Sequence, residues 1–362
     1  MHMADALISP AVGGTMWAVS GGLLAYSAKK VREEADDRKV PLMGVLGAFI
    51  FAAQMINFTI PGTGSSGHLG GGMILAILLG PWSAFLVMAS VLTVQSLFFA
   101  DGGLLALGCN IFNLGFFTCF VAYPLVYKKI VGNSLDGRRI MLGATLAGIA
   151  GLQFGAFGVV LQTLASGISE LPFKTFVLLM QPIHLAIGLV EGLVTAGVVS
   201  FILKARPEIL TAAVERTPIG VSVKKAALGL AAAAVFTGVA LSWFASANPD
   251  GLEWAMLRTS GKEELESGAK VHGLLASLQE KTAFLPDYGF HKTEAEPAAV
   301  ETAAVEAVPG AVEQSEKTSA EEAAAWPAVD AGTSVAGIVG GLLTLALAAL
   351  VGFALRRRNA AA

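Results

Sequence analysis

Apolar residues along this chain come in long runs broken by short polar stretches. Runs of about 20 residues suffice to cross roughly 30 Å of hydrocarbon as a helix. The pattern predicts spans near Ser9 to Ser27, Pro41 to Ile60, Trp82 to Phe99, Leu104 to Val126, Ile140 to Leu164 and Phe173 to Leu203, then Ala226 to Phe244 and Ser334 to Leu355. A shorter apolar stretch, Met73 to Leu79, follows the polar, glycine-rich segment from Pro61 to Gly72. The expected fold is therefore an all-α polytopic membrane protein. Counting the short stretch, seven apolar segments precede a polar segment near Arg206 to Lys225, and two more flank a long hydrophilic loop.

Charge placement sets the expected topology. Lysines and arginines gather after the first, fifth and seventh spans and at Arg356, Arg357 and Arg358. Loops rich in these residues stay in the cytoplasm. All four agree if the amino terminus is outside and the short third stretch crosses, with the glycine-rich segment before it filling the remaining depth. Irregular backbone at that depth is tolerated only when buried in protein or lining a cavity. The amino terminus and His68 then share the outer side, with the carboxyl terminus cytoplasmic.

Composition narrows the class. Hydrophobic residues make up 54% and charged residues 14% of the chain, unlike a soluble domain of this length. The 42 glycines fit close helix packing in lipid. Cys109 and Cys119 lie in one apolar run and read as core packing. No phosphate-binding glycine loop with a Lys-Ser/Thr end is present, so ATP hydrolysis by that route is excluded. Nucleic acid is not an expected partner.

Candidate chemistry sits at the start of the chain. Met1-His2-Met3-Ala4-Asp5 lacks the basic n-region of a signal peptide, so the terminus is expected to persist. The α-amino nitrogen, the His2 amide nitrogen and its imidazole Nδ1 can close two fused chelate rings on one ion. Such an all-nitrogen claw suits Ni(II) or Cu(II) before Zn(II). A Met-His start alone also arises by chance. The histidine of Gly67-His68-Leu69-Gly70-Gly71-Gly72, on the same expected side, offers a fourth nitrogen.

These pieces resemble the nickel- and cobalt-specific substrate-binding (S) components of energy-coupling-factor ABC transporters, NikM and CbiM. Residues 1–10 resemble their amino terminus, although Met3-Ala4 stands where Ile-Pro is common. The His68 loop resembles their glycine-flanked histidine loop. Pro249-Asp250-Gly251-Leu252-Glu253 resembles the "PDGLE" segment of the small NikN/CbiN accessory component. The resemblance implies an M component, a seven-span bundle of residues 1–206, fused through a linker at residues 207–225 to an N component, a two-span hairpin of residues 226–362 with a long outer loop. It implies Met1, His2 and His68 as ligands of a transported Ni(II) or Co(II), and Asp5 as an acceptor orienting the terminal segment. It further implies a transmembrane T component and two ABC ATPases as partners, a cell-membrane location, and no prosthetic group or enzymatic chemistry. A cobalt importer serving cobalamin synthesis fits the same residues.

Other polar residues carry alternatives. His184 and Glu191, seven apart, share one face of the seventh span. Intramembrane ionisable groups are functional candidates, but a buried hydrogen-bonded pair locking helices is the favoured reading. Asn57, Asn110, Asn113, Gln153 and Gln54 read as interior structural polar residues. His272 and His291 read as surface residues, and residues 293–325, rich in Ala, Glu, Val and Pro, as a disordered acidic tether. An intramembrane metalloenzyme using His2, His68, His184 and Glu191 lacks a metal-binding helix motif. A secondary carrier would show inverted repeats, and none is evident.

Overall fold

A computed structural model of the chain describes residues 2–34, 36–169, 171–215, 217–261, 270–290 and 326–356. Met1, His291 and the acidic stretch 293–325 lie outside the described residues.

After a single 3-10 turn at Asp5–Leu7, the chain runs through α1 (Pro10–Glu34) and α2 (Lys39–Gln54). A hairpin follows, β1 (Phe58–Ile60) and β2 (Ser65–Gly67), paired antiparallel with Phe58 opposite Gly67. Then come α3 (Gly72–Leu79), α4 (Pro81–Phe99), α5 (Leu107–Val131), α6 (Gly137–Ser166) and α7 (Phe173–Ala205). A linker helix α8 (Pro207–Glu215) leads to α9 (Lys224–Val239), α10 (Gly251–Ser260), α11 (Lys270–Thr282) and α12 (Ala331–Ala354).

Start signals in the sequence explain several boundaries. Proline opens α1, α4 and α8, where its missing N–H costs nothing. Asp136 and Asp330 cap α6 and α12 by accepting backbone N–H groups. Asp250 and Glu253 form a reciprocal capping box at the start of α10.

Among the described residues five helices, α4, α5, α6, α7 and α12, are long and apolar enough to cross a membrane. The chain is a multi-pass membrane protein, and these five are the spans that helix length and composition identify by themselves. Glycine, serine and terminal charges dilute α1. At 16 residues each, α2 and α9 span only about 24 Å. The second apolar run does not continue as helix to Ile60. It stops at Gln54, and Phe58–Ile60 is a strand. The fifth begins at Leu107, not Leu104. All eight residues of α3 are buried, as are Ser65 to His68, so this short helix sits inside protein.

Glycine sets the closest helix crossings. A Cβ on Gly192 of α7 would lie 2.3 Å from the Thr145 Cα of α6, and one on Gly337 of α12 2.4 Å from the Gly238 oxygen of α9. The α9–α12 hairpin packs on α2, where Gly340 abuts the Phe51 ring. Reciprocal amides tie helices elsewhere: Asn113 with Gln162, Gln153 with Gln181, and Gln95 donating to Gln54. That is the structural role the sequence suggested for Asn113, Gln153 and Gln54. Cys109 and Cys119 are buried and unpaired. The outward faces of α6 and α7 carry exposed Leu146, Phe154, Leu185 and Leu193, as a lipid-facing surface requires.

Candidate metal site

The amino-terminal segment folds back onto the turn between α4 and α5. Asn110 holds the Met3 backbone from both sides, accepting its N–H at 2.8 Å and donating to its carbonyl at 3.2 Å. The N–H of Gly103 donates to the same carbonyl at 2.9 Å. Asp5 accepts the Ala106 N–H at 2.9 Å. The fit is too tight for any side chain at Gly103, because a Cβ there would lie 1.8 Å from Asp5 Oδ1.

This anchoring carries His2 to His68. The two imidazole centroids are 4.9 Å apart, with planes inclined by 31°. His2 Nδ1 donates to Asp101 Oδ1 at 2.6 Å, and its buried Nε2 has no hydrogen-bond partner. His68 Nδ1 donates to the Leu69 carbonyl at 3.0 Å, which leaves the lone pair of a neutral ring on Nε2.

Glu191 explains how the His68 loop is held. Its buried carboxylate accepts the N–H groups of Gly70 at 2.9 Å and Gly71 at 3.0 Å. Gln54 donates to the Gly70 carbonyl at 2.8 Å. Gly71 has φ of +75°, a conformation costly for residues with a Cβ. The loop histidine is thus positioned by a carboxylate from α7, an amide from α2 and one left-handed glycine. Glu191 does not pair with His184, correcting the favoured of the two readings. His184 instead donates from Nδ1 to Met180 of its own helix at 2.8 Å.

The PDGLE segment covers this arrangement. Ser66 N–H donates to the Pro249 carbonyl at 2.8 Å, and Ser66 Oγ to the Asn248 carbonyl at 2.7 Å. Ser66 and Asp250 form a parallel bridge, so the segment extends the hairpin that leads into His68. Gly251 faces Ile183 and His184, where a Cβ would approach within 2.5 Å of the Ile183 side chain. Asn57 stands outside the helices, half-buried at the rim, and its carbonyl accepts the Ser246 N–H at 2.7 Å. His184, His68, Asp250 and Gly67 line a cavity of about 10 Å³, room for about one water.

Residues after α10 reach the same place. His272 is buried, not on the surface as its loop position suggested, and its Nε2 donates to the Ile8 carbonyl at 2.8 Å. Gln279 donates to the Ser96 and Gly102 carbonyls, both at 2.8 Å. The Tyr288 hydroxyl donates to Asp101 Oδ2. Burial pushes the Asp101 carboxyl up, but His2 and Tyr288 outweigh it and hold the group at about 2. Burial likewise raises Asp250, while His68 and the Glu253 N–H help bring it below the usual carboxylate range.

Asp101, Asp250, Tyr288 and His272 therefore join a site for which the sequence pointed to Met1, His2, His68 and Asp5. Topology held a signal for them. The Asp101-Gly102-Gly103 turn and residues 245–333 fall on the same expected side as His2. Among the described residues no cluster of three or more His, Cys, Asp or Glu side chains is placed to hold a metal.

Residues 2–209 match the profile of the cobalt uptake substrate-specific transmembrane region. The chain belongs to this family. Residues 224–357 match the PDGLE domain, so the family's transmembrane region continues here into a second unit. A putative fused nickel transport protein NikMN of Archaeoglobus fulgidus is 34% identical over 99% of this chain and 98% of its own. The fused nickel transport protein NikMN of Rhodobacter capsulatus is 34% identical over 66% of this chain and 75% of its own. The cobalt transport protein CbiM of Sorangium cellulosum is 29% identical over 58% of this chain. A crystal structure of a transition metal transporter, 30% identical, superposes with a TM-score of 0.51 over 60% of this chain and 99% of that one. As a family member the chain is a nickel/cobalt transport component rather than an enzyme.

Proposed function

We propose that this chain is the substrate-binding membrane component of an energy-coupling-factor importer for Ni(II) or Co(II). In this reading residues 1–206 bind the ion, 207–225 form a cytoplasmic linker and 226–362 are the accessory unit. The amino terminus faces outside and the carboxyl terminus the cytoplasm. A separate transmembrane component and two ABC ATPases supply the energy.

The ligands are the Met1 amine, the His2 amide nitrogen and imidazole, and His68. The observation that carries the reading is the meeting of His2 and His68, 4.9 Å apart, beneath the docked PDGLE segment. Closing the claw through Nδ1 turns the His2 ring away from Asp101. The Asp101 carboxylate then stands beside the cation as a counter-charge. Asp5, Glu191, His184 and Asn57 do not ligate. Asp5 and Glu191 hold the two ligand-bearing segments, and His184 and Asn57 pack against their surroundings. The nitrogen donors must be deprotonated to bind, so affinity falls as pH falls.

Titration calorimetry of the purified chain with Ni(II), Co(II), Cu(II) and Zn(II) tests the reading. His2→Ala and His68→Ala should each abolish tight binding in folded protein. One extra residue before Met1 should do the same by shifting the amine out of register. Unchanged affinity in either histidine variant removes the site. Unchanged affinity in the extended chain removes the amine from it.

A further inference from the structure

A second feature lies above the two imidazoles. A cavity of about 500 Å³ opens between the amino-terminal bundle and the accessory unit. The bundle contributes Asp5 and Asp101 to its wall, and the accessory unit contributes Asp250, Glu253 and Asp287. Among the described residues its lining holds no lysine or arginine.

Two histidines of the same lining, His2 and His272, each bury an imidazole nitrogen that has no partner. His2, with 5% of its side chain exposed, has Nε2 unpaired. His272, 2% exposed, has Nδ1 unpaired. Carboxylates in a walled cleft focus field lines and concentrate counter-ions, raising association rates by about 10- to 10³-fold. Buried unpaired nitrogens are costly to maintain without a partner, and the His272 nitrogen, which the claw proposed above does not use, is a donor suited to a divalent transition metal.

We infer that this cavity is a capture vestibule for hydrated divalent transition-metal cations, built jointly by the two units and feeding the His2–His68 site. Its carboxylates attract the aqua ion, and the vestibule sets how fast metal arrives more than how tightly it is finally held. This rests on the metal-binding reading above. It adds to it that the accessory unit contributes charge to the bundle's site, beyond the backbone bonds of the PDGLE segment.

Two neutralising substitutions leave the local backbone intact. Glu253→Gln keeps an oxygen for the Asp250 N–H that Glu253 accepts at 3.1 Å. Asp287 sits at φ of +50°, a left-handed conformation that asparagine tolerates well. Stopped-flow association of Ni(II) and Co(II) with the full chain, followed by intrinsic fluorescence at several ionic strengths, reads the effect. The Glu253→Gln/Asp287→Asn double variant should associate about 3- to 10-fold more slowly at low salt. Its dissociation rate should be unchanged and its salt dependence shallower than wild type. Asn57→Asp, which adds a carboxylate to the same lining, should speed association.

Association rates equal to wild type in both variants, or a wild-type rate insensitive to salt, would overturn the vestibule. That result is distinct from failure of the binding reading, in which His68→Ala binds metal as wild type does. Slower association caused by misfolding would appear in Asn57→Asp as well, whereas the vestibule requires that variant to move the other way.

Discussion

The two ends of this bundle use charged residues in opposite ways. At the end that holds His2, carboxylates are buried or partly buried and satisfied by specific donors, several of them backbone. Glu191 takes the Gly70 and Gly71 N–H groups, Asp5 that of Ala106, and Asp101 the His2 imidazole and Tyr288 hydroxyl. At the far end, charges face solvent and pair with one another. Lys30 meets Glu33 at 2.9 Å, Lys39 meets Glu34 at 2.8 Å and Arg356 meets Asp37 at 2.6 Å. Exposed pairs contribute about 0–1 kcal/mol each. A buried donor left without its partner costs about 1–3 kcal/mol. The same residue types therefore shape a site at one end and only decorate a surface at the other.

Breaking the buried end should show the largest effect. Glu191→Ala strands two buried N–H groups, so it should destabilise the fold by about 2–6 kcal/mol. It should also lower metal affinity sharply by releasing the His68 loop. Thermal unfolding in detergent and hydrogen exchange over residues 65–72 measure both, and wild-type protection there would refute the positioning role. Glu191→Gln keeps an acceptor oxygen and should lose less.

Tyr288→Phe removes a hydrogen bond to a carboxylate but keeps the ring, which stacks on Phe99 with centroids 5.1 Å apart. A loss of about 1.5–3 kcal/mol is expected, read as weaker docking of residues 286–290 by hydrogen exchange. The pH dependence sharpens this. Asp101 sits at about 2 in the folded chain, against about 3.9 when unperturbed. Its contribution is full above about pH 4 and is lost as pH falls through 2. Tyr288→Phe should therefore show a smaller loss of stability over that window than wild type.

His184→Ala should weaken metal binding only several-fold, since its one hydrogen bond runs to its own helix. Complete loss would place it among the ligands. The smallest effect belongs to the far end. Arg356→Ala should change stability by under about 1 kcal/mol and leave metal affinity untouched. A large effect there would erase the contrast between the two ends.

Much of the site was legible in the chain. The His2 terminus, the glycine-flanked His68 and the PDGLE segment could be placed on one side from charge in the loops, and Asp5 reads as an orienting acceptor. Nothing in the residue order marks Asp101, Tyr288 or His272 as part of it. An aspartate before two glycines reads as a turn, and a histidine in a long polar loop reads as surface. Only folding brings Tyr288 across 187 positions to Asp101, and His272 across 264 positions to Ile8.

Hydropathy by itself determined that this chain lives in a membrane, because apolar runs of that length have no other stable solvent. It did not determine how many helices span. Whether a short or diluted run becomes α2, α3 or α9 depends on what packs around it. The sequence also determined which donors exist, since His2 and His68 are chemical facts of the chain. Which of them meet, and which nitrogen each presents, was decided by tertiary contacts. Glu191, Gln54 and Asn110 fix backbone segments distant in sequence, and hydrogen-bond geometry cannot be read from residue order.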